Sequence, residues 1–139
     1  MLLHTDFYVR SIDNSLKFYI DAIGFRLADE FEVKGNLVSF ISKGQCTKCR
    51  VVLLKIGAGG AMLELIEFLD KQKDDLELSE GSVTLWVPSL DKKILELNEK
   101  GFKPISDIFC VDSNKFGRSN VVFFNDYDQN KIEFLEKIK

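Results

Sequence analysis

The sequence predicts an α+β protein built from tandem βαβββ repeats that form a curved mixed sheet around a trough. Three observations lead there. The chain opens His4-Thr-Asp-Phe-Tyr-Val-Arg-Ser-Ile12 and reopens as Ser82-Val-Thr-Leu-Trp-Val-Pro-Ser-Leu90, which aligns Phe7 with Leu85, Val9 with Val87, Ile12 with Leu90 and Leu16 with Ile94. Each opening leads into apolar residues at helical spacing that stop at the same dipeptide, Gly24-Phe25 in the first half and Gly101-Phe102 in the second. Each half closes on a strand-like segment carrying an acid among apolar neighbours, Glu64 and Glu133. A small curved sheet with one helix cannot bury its concave face alone, and two side by side enclose the kind of concavity in which ligands bind.

The elements follow in order. Residues 2–9 are apolar-rich, and Ser11 and Asp13 behind them are helix-capping types. Ile12, Leu16, Tyr19, Ile20 and Ile23 recur at helical spacing, and Gly24 supplies the left-handed residue that ends such a helix. Segments 25–33, 37–42, 50–56 and 61–69 read as strands, with Gly35, 43–48 and 57–60 as turns. In the second half 83–87 is a strand, Leu90, Ile94 and Leu97 mark a helix, and 102–111, 120–125 and 131–138 are strands. The polar stretch 112–118 is a loop, and Asp126-Tyr-Asp-Gln-Asn130 is a turn whose side chains bond their own backbone. The chain thus reads as a single domain, 1–139, made of a first repeat (1–69), a charged connector (70–80) and a second repeat (81–139).

Composition narrows the class. With 139 residues, 45% of them hydrophobic and 29% charged, the chain is long enough for a proper core and ordinary for a soluble protein. A formal net charge of -3 argues against binding a nucleic-acid backbone. No apolar run has the form of a signal peptide or the length of a membrane span, and three cysteines suit reduced thiols in the cytoplasm. Cys46-Thr-Lys-Cys49 lacks a second such pair or a neighbouring histidine to complete a zinc site, and reads as two thiols on a hairpin; Cys110 reads as a buried strand residue. Gly57-Ala-Gly-Gly60 precedes no helix of phosphate-binding type.

Three residues could carry chemistry. Glu64 shares a strand face with Met62, Ile66 and Phe68, where an ionised acid needs a cation or donors unless it reaches solvent at an edge. Glu133 shares its face with Leu135 and occupies the same place in the second repeat. His4, the single histidine, stands at the start of the first strand. One imidazole with two carboxylates suits a divalent Zn, Ni, Mn or Fe ion, and three protein ligands leave positions open for Lewis-acid catalysis. Among Phe7, Tyr8, Phe40, Trp86, Phe123 and Phe124, core packing accounts for most and the rest are available to shape a pocket.

On the opening Leu2-Leu3-His4-Thr5, the helix Ser15-Leu-Lys-Phe-Tyr19 with Gly24-Phe25, the Glu64-Leu65 strand and Asp126-Tyr-Asp-Gln-Asn-Lys-Ile-Glu133, the chain resembles the glyoxalase/bleomycin resistance/dioxygenase (vicinal oxygen chelate) superfamily. Within it the chain looks most like the bacterial glyoxalase I (lactoylglutathione lyase) branch. The resemblance implies a glyoxalase-like fold with four metal ligands, at the first and last strand of each repeat. His4, Glu64 and Glu133 match three of those positions, and Ser82 stands at the fourth in place of an imidazole. It implies a metal-dependent lyase or isomerase acting on a small oxygenated substrate, such as an α-oxoaldehyde–thiol adduct, through an enediolate. Glu133 would be the base, and His4 and Glu64 the metal holders. It also implies a homodimer, in which Glu133 of one copy can complete the site of the other. Two alternatives stay open. One is a metal-free protein of the same superfamily that sequesters a small antibiotic-like molecule; the other is an Fe or Mn oxygenase, which ordinarily calls for two histidines. Arg10, Arg26, Arg50 and Arg118 form no evident constellation for glutathione.

Overall fold

A computed structural model describes residues 2–71, 75–114 and 117–139. The chain divides into two compact units, Met1–Gly81 and Ser82–Lys139.

In the first unit β1 (His4–Tyr8) leads into α1 (Ile12–Leu16), which continues as a π-helical stretch, Lys17–Ile23. Ser11 caps the helix by accepting from the Asn14 amide, and the wide last turn closes where the Gly24 and Phe25 amides both donate to the Tyr19 carbonyl. Gly24 has φ 97° and Gly101, its counterpart, φ 91°, so glycine at both helix ends meets a left-handed backbone requirement. Strands β2 (Arg26–Lys34), β3 (Lys48–Lys55) and β4 (Met62–Phe68) complete a four-stranded sheet in the order β1-β4-β3-β2, with β1 and β4 parallel and the other pairs antiparallel.

Alternation along the strands gives this sheet two apolar faces. Phe7, Val52, Leu54, Leu63 and Leu65 are buried on the α1 side, where Tyr19 packs its ring against Phe7, Phe18 and Phe25. On the opposite face Cys49, Val51, Ile66 and Phe68 form a second cluster with Val38, Cys46 and Leu76. Val38 belongs to a helix, α2 (Asn36–Ile41), where the sequence predicts a strand over 37–42. The reason lies in the ladder. Lys34 already pairs with Lys48, so β2 and β3 are complete without this segment, which is left as an excursion between them. Winding it as a helix sets Val38 and Ile41, three residues apart, against the sheet, and tertiary burial overrides the strand propensity of Leu-Val-Ser-Phe-Ile.

The second unit repeats the plan. Strands β5 (Ser82–Trp86), β6 (Phe109–Ser113), β7 (Gly117–Asn125) and β8 (Lys131–Lys137) pair in the order β5-β8-β7-β6, with β5 and β8 parallel. The helix α3 (Leu90–Glu99), capped by Ser89, buries Leu90 and Leu97, and Val122, Phe124, Ile132 and Phe134 are the buried residues of β7 and β8. The strand expected over 102–111 begins only at Phe109. Pro104 removes one amide donor, Ile105 donates to the Phe123 carbonyl, and the Ser106 hydroxyl accepts from the Phe123 amide where a ladder carbonyl would stand. The loop expected over 112–118 shortens, because β6 reaches Ser113 and β7 starts at Gly117; residues 115 and 116 of that loop lie outside the described ones. The 126–130 turn is as expected, with Asp126 accepting from the Asp128 and Asn130 amides and from the Asn130 side chain.

Of the connector, residues 72–74 lie outside the described ones, and the rest packs on the first unit. Leu76 is buried, and Asp70 accepts from the Thr47 amide and hydroxyl. Among the described residues no helix is long and apolar enough to cross a membrane.

Candidate functional site

Parallel neighbours in a sheet point their opposed side chains the same way, and residues two apart on a strand share a face. Asp6 of β1 lies opposite Glu64 of β4, and His4 precedes Asp6 by two residues. The register therefore gathers His4, Asp6 and Glu64 on the face that α2 covers, with one ligand atom of each within 4.8 Å of the others. His4 Nδ1 is 2.5 Å from Asp6 Oδ1, and His4 Nε2 is 3.6 Å from Glu64 Oε2. With a carboxylate at Nδ1, Nε2 is the nitrogen that faces Glu64, the arrangement seen with the outer partner of a metal-binding histidine.

Electrostatics sharpens the picture. Burial pushes the Glu64 carboxyl above its ordinary value, Asp6 raises it further, and His4 pulls part of that back. The Glu64 side chain is 16% exposed, against 42% for Asp6, so Glu64 is the acid that gains most from a cation. The donor set suits one. Two atoms each ~2.1 Å from a single ion lie roughly 3.0–3.6 Å apart at angles from square to trigonal. The Nε2–Oε2 separation falls at the wide end of that range.

Beyond the cluster the same face encloses a cavity of about 350 Å³. Tyr8 and Ile66 extend the rows of β1 and β4, Cys49 and Val51 come from β3, Phe31 and Val33 from β2, and α2 contributes Leu37, Val38 and Ile41. Tyr8 stacks on Phe68, and its hydroxyl is pushed up first by burial and then by Asp6 and Glu64, which keeps it a neutral donor. The Cys49 thiol is pushed up by burial and then by Glu64, and the Cys46 thiol by burial and then by the bond to Asp70. Both remain protonated thiols in the core rather than on a hairpin surface. Cys110, expected to be buried, is exposed, because β6 is an edge strand on which four of five residues face solvent. Phe40 (83%) and Trp86 (64%) are exposed as well, while Phe7 and Phe124 belong to the core.

The structure brings His4 and Glu64 together, and adds Asp6, which the sequence reading passed over. The signal for Asp6 was present: His4-Thr-Asp6 alternates, so the acid shares the histidine's face once residues 4–8 are a strand. Ser82 and Glu133 lie in the second unit. There Ser82 heads β5 opposite Lys131, Thr84 stands opposite Glu133, and the Thr84 hydroxyl donates to Glu133 Oε1 at 3.3 Å. Register thus matches His4, Asp6 and Glu64 with Ser82, Thr84 and Glu133. Three arginines have structural partners: Arg50 bonds Glu30 and Asp13, Arg10 donates to the Leu76 carbonyl, and Arg118 approaches the Cys110 sulfur.

Residues 1–134 match the family model of the Glyoxalase/Bleomycin resistance protein/Dioxygenase superfamily. The chain belongs to that superfamily. A relative from Synechocystis sp., a "Probable lactoylglutathione lyase", is 26% identical over 137 residues, covering 97% of this chain and 94% of its own. Among solved structures, a glyoxalase family protein from Bacillus cereus superposes with a TM-score of 0.71 at 17% identity, covering all of this chain and 94% of the other. TnmS3, an antibiotic binding protein from Streptomyces sp. CB03234, superposes with a TM-score of 0.64 at 17% identity, covering 99% and 96%. At these identities the solved structures establish the shared α+β fold.

Proposed function

We propose that this superfamily member is a metal-dependent lyase or isomerase of the glyoxalase I type, acting on a small oxygenated substrate. What carries the reading is the convergence of His4 Nε2 and Glu64 Oε2, with Asp6 on the far nitrogen of the imidazole. His4 and Glu64 hold a divalent ion (Ni, Zn, Mn or Fe), and Asp6 orients His4. When bound, the ion supplies Lewis acidity that stabilises negative charge on a substrate oxygen. Glu133, the counterpart of Glu64, moves a proton between adjacent substrate carbons. Ser82 is the fourth position, a hydroxyl that binds an ion weakly or through water. The Synechocystis relative supports the activity class. We further propose a homodimer in the cytoplasm, in which Glu133 of one copy completes the His4–Glu64 pair of the other.

A second reading is a metal-free protein that binds a small antibiotic-like molecule. It is favoured by the largely apolar lining of the cavity and by the likeness to TnmS3. Elemental mass spectrometry on tag-free protein, with Glu64→Gln alongside, separates the two. About one Ni, Zn, Mn or Fe per chain, lost in the variant, is the expected result and justifies a methylglyoxal–thiol assay. Protein that holds no ion and takes up none when offered leaves the binding module.

A further inference from the structure

The cavity under α2 has two unlike ends. At one stands the cluster, where His4 and Asp6 are partly exposed. Toward the other, Tyr8 and Ile41 form a partition. They line the cavity on one side and, on the other, a smaller void of about 20 Å³. Phe68, the turn over 42–45 and connector residues 77–79 close that void from behind. The partition is firmly mounted. The Tyr8 ring stacks on Phe68, with centroids 5.6 Å apart and planes 21° from parallel. Ile41 is the last residue of α2, and the buried Ser42 that follows donates its hydroxyl to the Cys46 carbonyl and accepts from the Cys46 amide. The Gln45 side chain bonds both the amide and the carbonyl of Glu77, which ties the turn to the connector. A β-branched side chain on a helix keeps largely to one rotamer, so Ile41 is a stiff barrier.

We infer that Ile41, seated beside the stacked Tyr8–Phe68 pair, is the length stop of the ligand site: it fixes how long an unbranched body can be when its oxygenated end rests at the cluster. This rests on reading the cavity as the ligand site of the proposed function, and deepens it by naming the residue that sets substrate length. The cluster and the partition lie on the same two strands. Tyr8 and Ile66 are one two-residue step beyond Asp6 and Glu64, and Phe68 is one step further, each step roughly 6.6 Å. A chain that grows from the cluster along β1 and β4 therefore runs into Ile41 and Tyr8. Below the limit each added carbon finds apolar wall in Ile66, Val51 and Val38. Beyond it, a further carbon has to force Ile41 out of its rotamer or bend back toward the mouth, and the gain from burial ends. Shortening the side chain at 41 would join the cavity to the void behind it and lengthen the site.

A series of straight-chain 1-alkanols, from butanol to decanol, measures that length. Each is titrated into the isotope-labelled full chain, with and without zinc, and affinity is read from amide chemical shifts. The same series goes into Ile41→Ala and Ile41→Phe, with Leu37→Ala at the other end of α2 as the control. Affinity is expected to rise roughly 4-fold per carbon, the worth of one buried methylene, and then to level off at one chain length. Ile41→Ala should move that break about two to three carbons further, the reach freed by the shortened side chain and the void behind it. Ile41→Phe should move it back, and Leu37→Ala should leave it in place. Circular dichroism checks folding, and Ile41→Val, with a shift of about one carbon, replaces Ile41→Ala if that variant does not fold. A break that stays put in every Ile41 variant would overturn the inference, as would a rise with no break, or alcohols that bind nowhere near Tyr8 and Ile41. A movable break in a protein that takes up no ion would sink the lyase reading and leave the length stop standing; a loaded ion with an immovable break would do the reverse.

Discussion

The two units share a strand order and a register, yet the cavity beside the cluster belongs to the first, under a helix that the second does not repeat. Tyr8, Ile66, Val51 and Phe31 form one row across the first sheet; Trp86, Leu135, Val121 and Phe109 form the matching row across the second. In the first unit α2 lies over that row. In the second, β6 ends at Ser113 and β7 starts at Gly117, and Trp86 and Phe109 are exposed. The cluster differs in the same way. His4 and Asp6 offer an imidazole and a carboxylate beside its Nδ1, where Ser82 and Thr84 offer two hydroxyls. A repeated frame sets the positions, and the residues and the excursion between the second and third strands of each unit decide what those positions do.

The largest effect should come from the paired acids. Glu133→Gln is expected to abolish turnover while keeping the fold, and Glu64→Gln to lose the ion; unchanged activity in the first would remove Glu133 from the chemistry. Next comes the orienting residue. Asp6→Asn should weaken metal binding by about 10–100-fold, the usual cost of losing the outer partner of a ligand histidine, whereas Thr84→Val should change it little. Calorimetric titration with zinc checks both, and equal effects would erase the distinction between the units. Conversely, Ser82→His should tighten metal binding, and no change would mean that Ser82 does not reach the site.

Packing sharpens the comparison further. Ile66→Ala, under α2, should cost about 2–5 kcal/mol in urea unfolding, and Leu135→Ala, half-exposed in the matching row, less than that. The smallest effect concerns Asp70, which the Thr47 hydroxyl and amide hold down at about 2. Its folded value lies below the unfolded one, so its contribution is complete above the ordinary carboxylate range near ~3.9 and is lost as pH falls toward about 2. Thr47→Val should move the Asp70 carbon resonance titration upward, toward the ordinary range.

Much of this frame was legible because internal duplication is a comparison within one sequence: Gly24-Phe25 against Gly101-Phe102, and Glu64 against Glu133, mark equivalent points whatever surrounds them. The helix over 36–41 was not legible, since Leu-Val-Ser-Phe-Ile has the composition of a strand, and only the closed Lys34–Lys48 pairing forces it out of the ladder. Residues 102–108 depart from the expected strand for a related reason, as Ser106 satisfies a backbone donor through its side chain. Cys110 depended on strand order, which local pattern does not encode. Asp6 shares the face of His4 by alternation, but it lies one step inside the strand ends that the repeat marks.

The parallel seam between β1 and β4 joins the first strand of the unit to its last, and His4 and Glu64 straddle it. An ion gripped by both would therefore act as a clasp on chain closure, because its two holders become neighbours only when the terminal strand docks. Loading would then raise the melting temperature and slow the proteolytic release of β1, since an ion that binds only the closed seam stabilises it by mass action. The residues that prepare the chemistry would also lock the edge of the sheet, and chelation would loosen the unit at its N-terminal strand first.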